Sequence, residues 1–207
     1  MSKMVFIFVL LFLFACNVDN KIDTNVVSNV DTNKQVLRAN NEVNLPKAKN
    51  NPVDTLSETS LRFPCGDEVG HGYYIAQGFQ DDRRGDGTHL GLDINGVGGG
   101  NSDLGDTIYS IGNGIVAQAE DDCYLAVYYK YKGKAIKALY YHCLEVFPKT
   151  GDYVAKGEPI ATIGDIGADL AHLHFELIKD TNIICGFYGY PEDDFYDPME
   201  VLPFYKK

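Results

Sequence analysis

His172-Leu173-His174-Phe175-Glu176-Leu177 is the stretch on which the fold turns. Leu173, Phe175 and Leu177 recur at every second position, the period of a strand whose side chains alternate between two faces. His172, His174 and Glu176 therefore share the opposite face. A packed apolar face would hold the two imidazoles rigidly side by side, which suits a metal or a proton-transfer site. Histidines decorating a solvated edge strand give the same pattern, so this stretch alone leaves both readings open.

Working outward, strand-length apolar, β-branched and aromatic runs fill the rest of the chain from about residue 61. They are Tyr73 to Phe79, His89 to Ile94, Thr107 to Ile111, Tyr124 to Tyr131, Ala135 to Cys143 and Pro159 to Ile163. Gly and Asp turns separate them, and no long segment carries a helical period, so the expectation is an all-β domain over residues 61–207. No internal repeat is visible. The run Tyr131-Lys132-Gly133-Lys134 reads as the turn of a hairpin. Centred on Gly133, that hairpin sets Cys123 opposite Cys143, near enough to form a disulfide.

Two further polar clusters stand on these runs. In His89-Leu90-Gly91-Leu92-Asp93-Ile94 the period of two puts His89, Gly91 and Asp93 on one face. An imidazole and a carboxylate so placed suit zinc, and Gly91 between them eases a bend or a close approach. A solvated ion pair is the plain alternative. Tyr140-Tyr141-His142 ends another apolar run, where a lone histidine is commonly just half-buried. The chain has five histidines, and four of them fall in these three clusters.

The amino-terminal segment is of another kind. Lys3 precedes an apolar run from Val5 to Ala15, and Cys16 follows. That run is shorter than the about 20 residues a bilayer span needs, and it fits the core of an export signal. Leu13-Phe14-Ala15-Cys16 resembles a bacterial lipobox. The resemblance implies a lipid on Cys16, a membrane anchor through it, and a protein exported from the cytoplasm to face the periplasm or cell envelope; plain secretion is the alternative. With Cys16 set aside, the four remaining cysteines are an even number in an oxidising compartment. Residues 17–60 are polar, poor in aromatics and without period, and read as a disordered tether.

The bulk numbers exclude other classes. A formal net charge of −11 offers no basic face for nucleic acid. Gly98-Gly99-Gly100 is not a nucleotide loop, because Asn101 follows and no Lys-Ser/Thr pair does. It reads instead as a loop at the rim of a cleft.

Taken together, the motifs Thr88 to Asp93, Tyr140 to His142 and His172 to Leu177 resemble the three signatures of the M23 family, the lysostaphin-like zinc endopeptidases. Gly105-Asp106-Thr107-Ile108-Tyr109 and Gly151-Asp152-Tyr153-Val154 resemble its connecting phrases, and the likeness runs from about Pro64 to Leu177. It implies an antiparallel β-sheet sandwich with a loop-walled groove. It implies one zinc ion held by His89, Asp93 and His174, with His142 and His172 as the catalytic pair. It also implies a substrate, the peptide cross-links of peptidoglycan. Three protein ligands leave a fourth position open for water, whose pKa zinc lowers to about 7. No His-Glu-x-x-His helix supplies a glutamate base, so His142 or His172 would handle the proton. Cys143 departs from the apolar residue usual in the family. A degenerate relative that regulates another wall hydrolase is the rival reading, and such relatives typically lack ligands that this chain retains.

Overall fold

A computed structural model describes residues 52–83, 88–120, 124–179 and 191–205. The expected signal segment, Cys16, most of the expected tether and Cys123 lie outside the described residues. Eleven strands follow in chain order: β1 (Tyr73–Gln77), β2 (Leu92–Gly96), β3 (Thr107–Tyr109), β4 (Gly114–Glu120), β5 (Tyr124–Tyr131), β6 (Lys134–Tyr141), β7 (Cys143–Val146), β8 (Tyr153–Val154), β9 (Pro159–Ile163), β10 (Leu173–Ile178) and β11 (Phe195–Tyr196). Helix among the described residues amounts to two 3₁₀ turns and the single turn α1 (Pro198–Val201). The all-β expectation holds.

The larger sheet runs β1-β2-β10-β6-β5-β4-β8, with β11 added beside β10, and the smaller runs β3-β9-β7. Every pairing is antiparallel. Period-two alternation builds the core between the two sheets. Leu125, Val127 and Tyr129 of β5, Ala138 and Tyr140 of β6, and Leu173, Phe175 and Leu177 of β10 join Ile108, Cys143 and Ile163 of the smaller sheet in one buried cluster. The alternate residues Tyr124, Ala126, Leu139, Tyr141 and Ile178 pack with Leu90 and Phe195 on the other face of the larger sheet. By the same alternation His174, Glu176 and Asp93 stand on that second face. It is the face the smaller sheet does not cover.

The structure corrects three expectations. β2 starts at Leu92, not His89, because the backbone at Gly91 presses against β10. A Cβ there would lie 2.3 Å from the Phe175 carbonyl oxygen. The β5–β6 hairpin is one residue out of the expected register: Tyr131 pairs with Lys134 and Tyr124 with Tyr141. Its turn is the two-residue pair Lys132-Gly133, both at positive φ (49° and 74°), as a type I′ turn requires. Cys143 then leaves the hairpin altogether and pairs with Ile163 of β9 in the smaller sheet. Finally, the end of the expected tether packs on the domain. Val53 and Leu56 are buried, and the Glu58 carboxylate accepts the Lys132 and Gly133 N–H groups at 2.8 and 2.9 Å.

Candidate metal centre

Strand order brings the site together. β10 lies between β2 and β6, so His174 has Asp93 as register partner on one side and Tyr141 on the other. His142 follows Tyr141 directly. His89 comes from the segment ahead of β2, where its carbonyl accepts the Gln80 N–H at 2.7 Å. The close approach at Gly91 lets that segment lie against β10 at all.

Main-chain and carboxylate acceptors fix the ligand tautomers. His89 Nδ1 lies 2.8 Å from the Gly78 carbonyl, which can only accept, so Nδ1 carries the proton and Nε2 is bare. His174 Nε2 likewise donates to Glu176 Oε1 at 2.9 Å and leaves Nδ1 as the nitrogen turned to Asp93 and open to a metal. His89 Nε2, His174 Nδ1 and Asp93 Oδ1 form a triangle with edges of 3.0, 2.9 and 2.9 Å. Three lone-pair atoms at such spacing repel one another unless a proton or a metal sits among them. Tetrahedral bonds of about 2.0–2.1 Å would set ligand atoms roughly 3.3 Å apart, so the triangle needs to open by only a few tenths of an ångström. These residues fit a small divalent ion, and His89, Asp93 and His174 are the metal-capable group among the described residues.

The charges answer to this packing. Burial pushes the Asp93 carboxyl up, but its hydrogen bonds with His174 and His89 prevail and hold it well below the usual carboxylate range. Burial pushes His174 down, and Asp93 and Glu176 more than reverse this, raising it to about 9 in the metal-free protein.

His142 and His172 stand beside the triangle with ring centroids 4.5 Å apart. His142 occupies the crossing from β6 to β7, where the chain changes sheets at φ +63°. Non-glycine residues seldom adopt that conformation. Its Nδ1–H donates to the Ile166 carbonyl, and that of His172 donates to Leu170, both at 2.9 Å. Both therefore present a bare Nε2, that of His172 lying 3.6 Å from Asp93 Oδ1. Burial lowers His142 to about 4, against the bond to Ile166 and with help from the neighbouring His172 and His174. It is neutral at pH 7.

All five expected site residues thus meet on one face. The fifth histidine, His71, is apart from them, an exposed partner of Asp67. Sequence reasoning placed Glu176 on the right face but gave it no role. It gave no hint of the carbonyls of Gly78, Ile166 and Leu170, since a main-chain acceptor leaves no mark in residue type.

Residues 87–184 match the model of Peptidase family M23. No curated protein matches the chain. Among solved structures, a zinc-containing peptidase from Vibrio cholerae is 26% identical over 58% of this chain and 37% of that one, with a TM-score of 0.46. The antimicrobial peptidase lysostaphin from Staphylococcus simulans is 20% identical over 63% and 49%, with a TM-score of 0.45. A chain of the SpoIIQ-SpoIIIAH pore forming complex, 16% identical over 71% and 93% with a TM-score of 0.51, shares the fold. This chain spans about a third to a half of the length of the first two. The three motifs and all five clustered residues lie inside this matched segment, so the part of the chain that builds the site is similar to peptidase family M23.

Proposed function

We propose that the protein is a zinc endopeptidase acting on peptide bonds in the cross-links of peptidoglycan. Its zinc ligands are His89, Asp93 and His174, and its proton-handling pair is His142 and His172. The observation that supports this reading is the convergence of three ligand atoms, each oriented by a hydrogen bond behind it or by burial, next to two imidazoles whose Nδ1 atoms are tied to main-chain carbonyls so that Nε2 is left for proton transfer. Zinc bound there supplies a Lewis acid for the scissile carbonyl and lowers the pKa of water to about 7. His142 and His172 then offer Nε2 to take a proton, and either one, once protonated, can give it to the departing amine or steady the developing oxyanion. Glu176 keeps the His174 lone pair aimed at the metal position. The peptidoglycan substrate follows from the resemblance of the motifs to the lysostaphin-like enzymes.

The test is digestion of purified wall peptides by the zinc-loaded protein, read by mass spectrometry. New amino termini that vanish on chelation and return with zinc are expected. Stoichiometric zinc without any cleavage would instead favour a domain that regulates another hydrolase. The lipid anchor at Cys16 belongs to the same proposal. Labelled fatty acid should mark the wild type and not a Cys16→Ala variant, and equal labelling of both would end it.

A further inference from the structure

The loop of residues 164–171 is pinned at both ends. His172 N–H donates to the Gly164 carbonyl at 3.2 Å. Gly164 backs so closely onto the next segment that a Cβ would lie 2.4 Å from the His142 carbonyl oxygen. At the far end Ala171 is held by two asparagines. Its N–H donates to Asn101 Oδ1 at 2.9 Å, and its carbonyl accepts from Asn95 Nδ2 at 3.2 Å. Between these ends, Ala168 N–H closes a turn onto the Asp165 carbonyl at 3.0 Å, with Gly167 at φ +78°.

From this platform the carbonyls of Ile166 and Leu170 hold His142 and His172. The side chains of the same two residues are 44% and 52% exposed. Each leaves a Cα that is one bond from the carbonyl gripping a catalytic-pair histidine. The backbone of two large apolar residues is therefore fixed against that pair, and their side chains are exposed.

We propose that Ile166 and Leu170 are specificity-determining residues that receive an apolar side chain from a residue flanking the scissile bond. The inference rests on the peptidase reading above and narrows it. Substrates carry alanine or a larger apolar residue at that position, and glycine-only bridges are poor substrates. Glycine has no side chain to bury against Ile166 or Leu170. One methylene more or less against an apolar site commonly discriminates by about 10–200-fold.

The experiment compares kcat/KM of the full-length, zinc-loaded protein on two wall-type peptides that differ only in alanine or glycine beside the scissile bond. The wild type should favour the alanine peptide by about tenfold or more. Ile166→Ser and Leu170→Ser should each bring the ratio towards one while zinc content is kept. Equal wild-type rates on both peptides, or a ratio unchanged in both variants, would overturn the inference. The wild-type ratio stands whether or not a variant folds. Cleavage of neither peptide would remove the peptidase reading itself and this inference with it, an outcome distinct from equal cleavage of both.

Discussion

Glu176 Oε1 accepts the Nε2–H of His174 at 2.9 Å, while Glu176 Oε2 is buried and has no hydrogen-bond partner among the described residues. One oxygen of this carboxylate orients a ligand, and the other is buried without a hydrogen bond from any described residue to offset its desolvation. Glu176→Gln keeps the shape and removes the charge. It should weaken zinc binding by about 10–100-fold, the usual range for losing such a supporting carboxylate. The metal-free protein should also lose some stability near pH 7, because His174 loses one of the two carboxylates that hold its proton in the folded state. Competition with a chelator and denaturant unfolding measure the two effects, and unchanged zinc affinity would remove Glu176 from the centre.

Gly91 is where backbone packing and the site meet. A Cβ there would lie 2.3 Å from the Phe175 carbonyl oxygen and 2.9 Å from Glu176 Cγ. Gly91→Ala must push β10 away, and His174 and Glu176 move with it. The expected cost is about 1–3 kcal/mol of stability for overpacking, together with a loss of zinc affinity. Gly133→Ala is the control. Gly133 needs its φ of +74° but has open space around it, so about 1 kcal/mol should be lost with zinc binding intact. Equal zinc affinity in the two variants would show that Gly91 does not support the site.

The legible part of this protein is the part written in side-chain alternation. On β10 the leucines and Phe175 announced the buried face, and His172, His174 and Glu176 announced the other. Asp93 and His89 were likewise visible as a pair. What sequence could not give was backbone conformation. Lys132 at positive φ shifts the hairpin by one residue, and nothing in a lysine advertises that. Gly91 was visible as a place for close approach, but not as the reason β2 starts at Leu92. The change of sheet at His142 and the carbonyls that hold the imidazoles are equally silent, because they depend on where the main chain turns.

His142 combines a chemical and a backbone role, and two substitutions separate them. Asparagine tolerates the left-handed conformation at φ +63°, whereas β-branched valine does not. His142→Asn should fold with nearly wild-type stability, and His142→Val should lose about 1–3 kcal/mol more. Both should lose hydrolysis, since neither offers an imidazole. Denaturant unfolding of the pair is the measurement. Equal stability would mean that His142 is not held in a strained backbone.

The division between ligands and proton carriers is tested most directly by measuring zinc content and cleavage of a wall-derived peptide on the same preparations. His89→Ala, Asp93→Ala and His174→Ala should each lose metal and activity together. His142→Ala and His172→Ala should keep nearly one zinc per chain while hydrolysis falls by about 10²–10⁴, the worth of a lost acid–base group. A His142→Ala protein without zinc, or a His174→Ala protein that keeps both zinc and activity, would contradict the account.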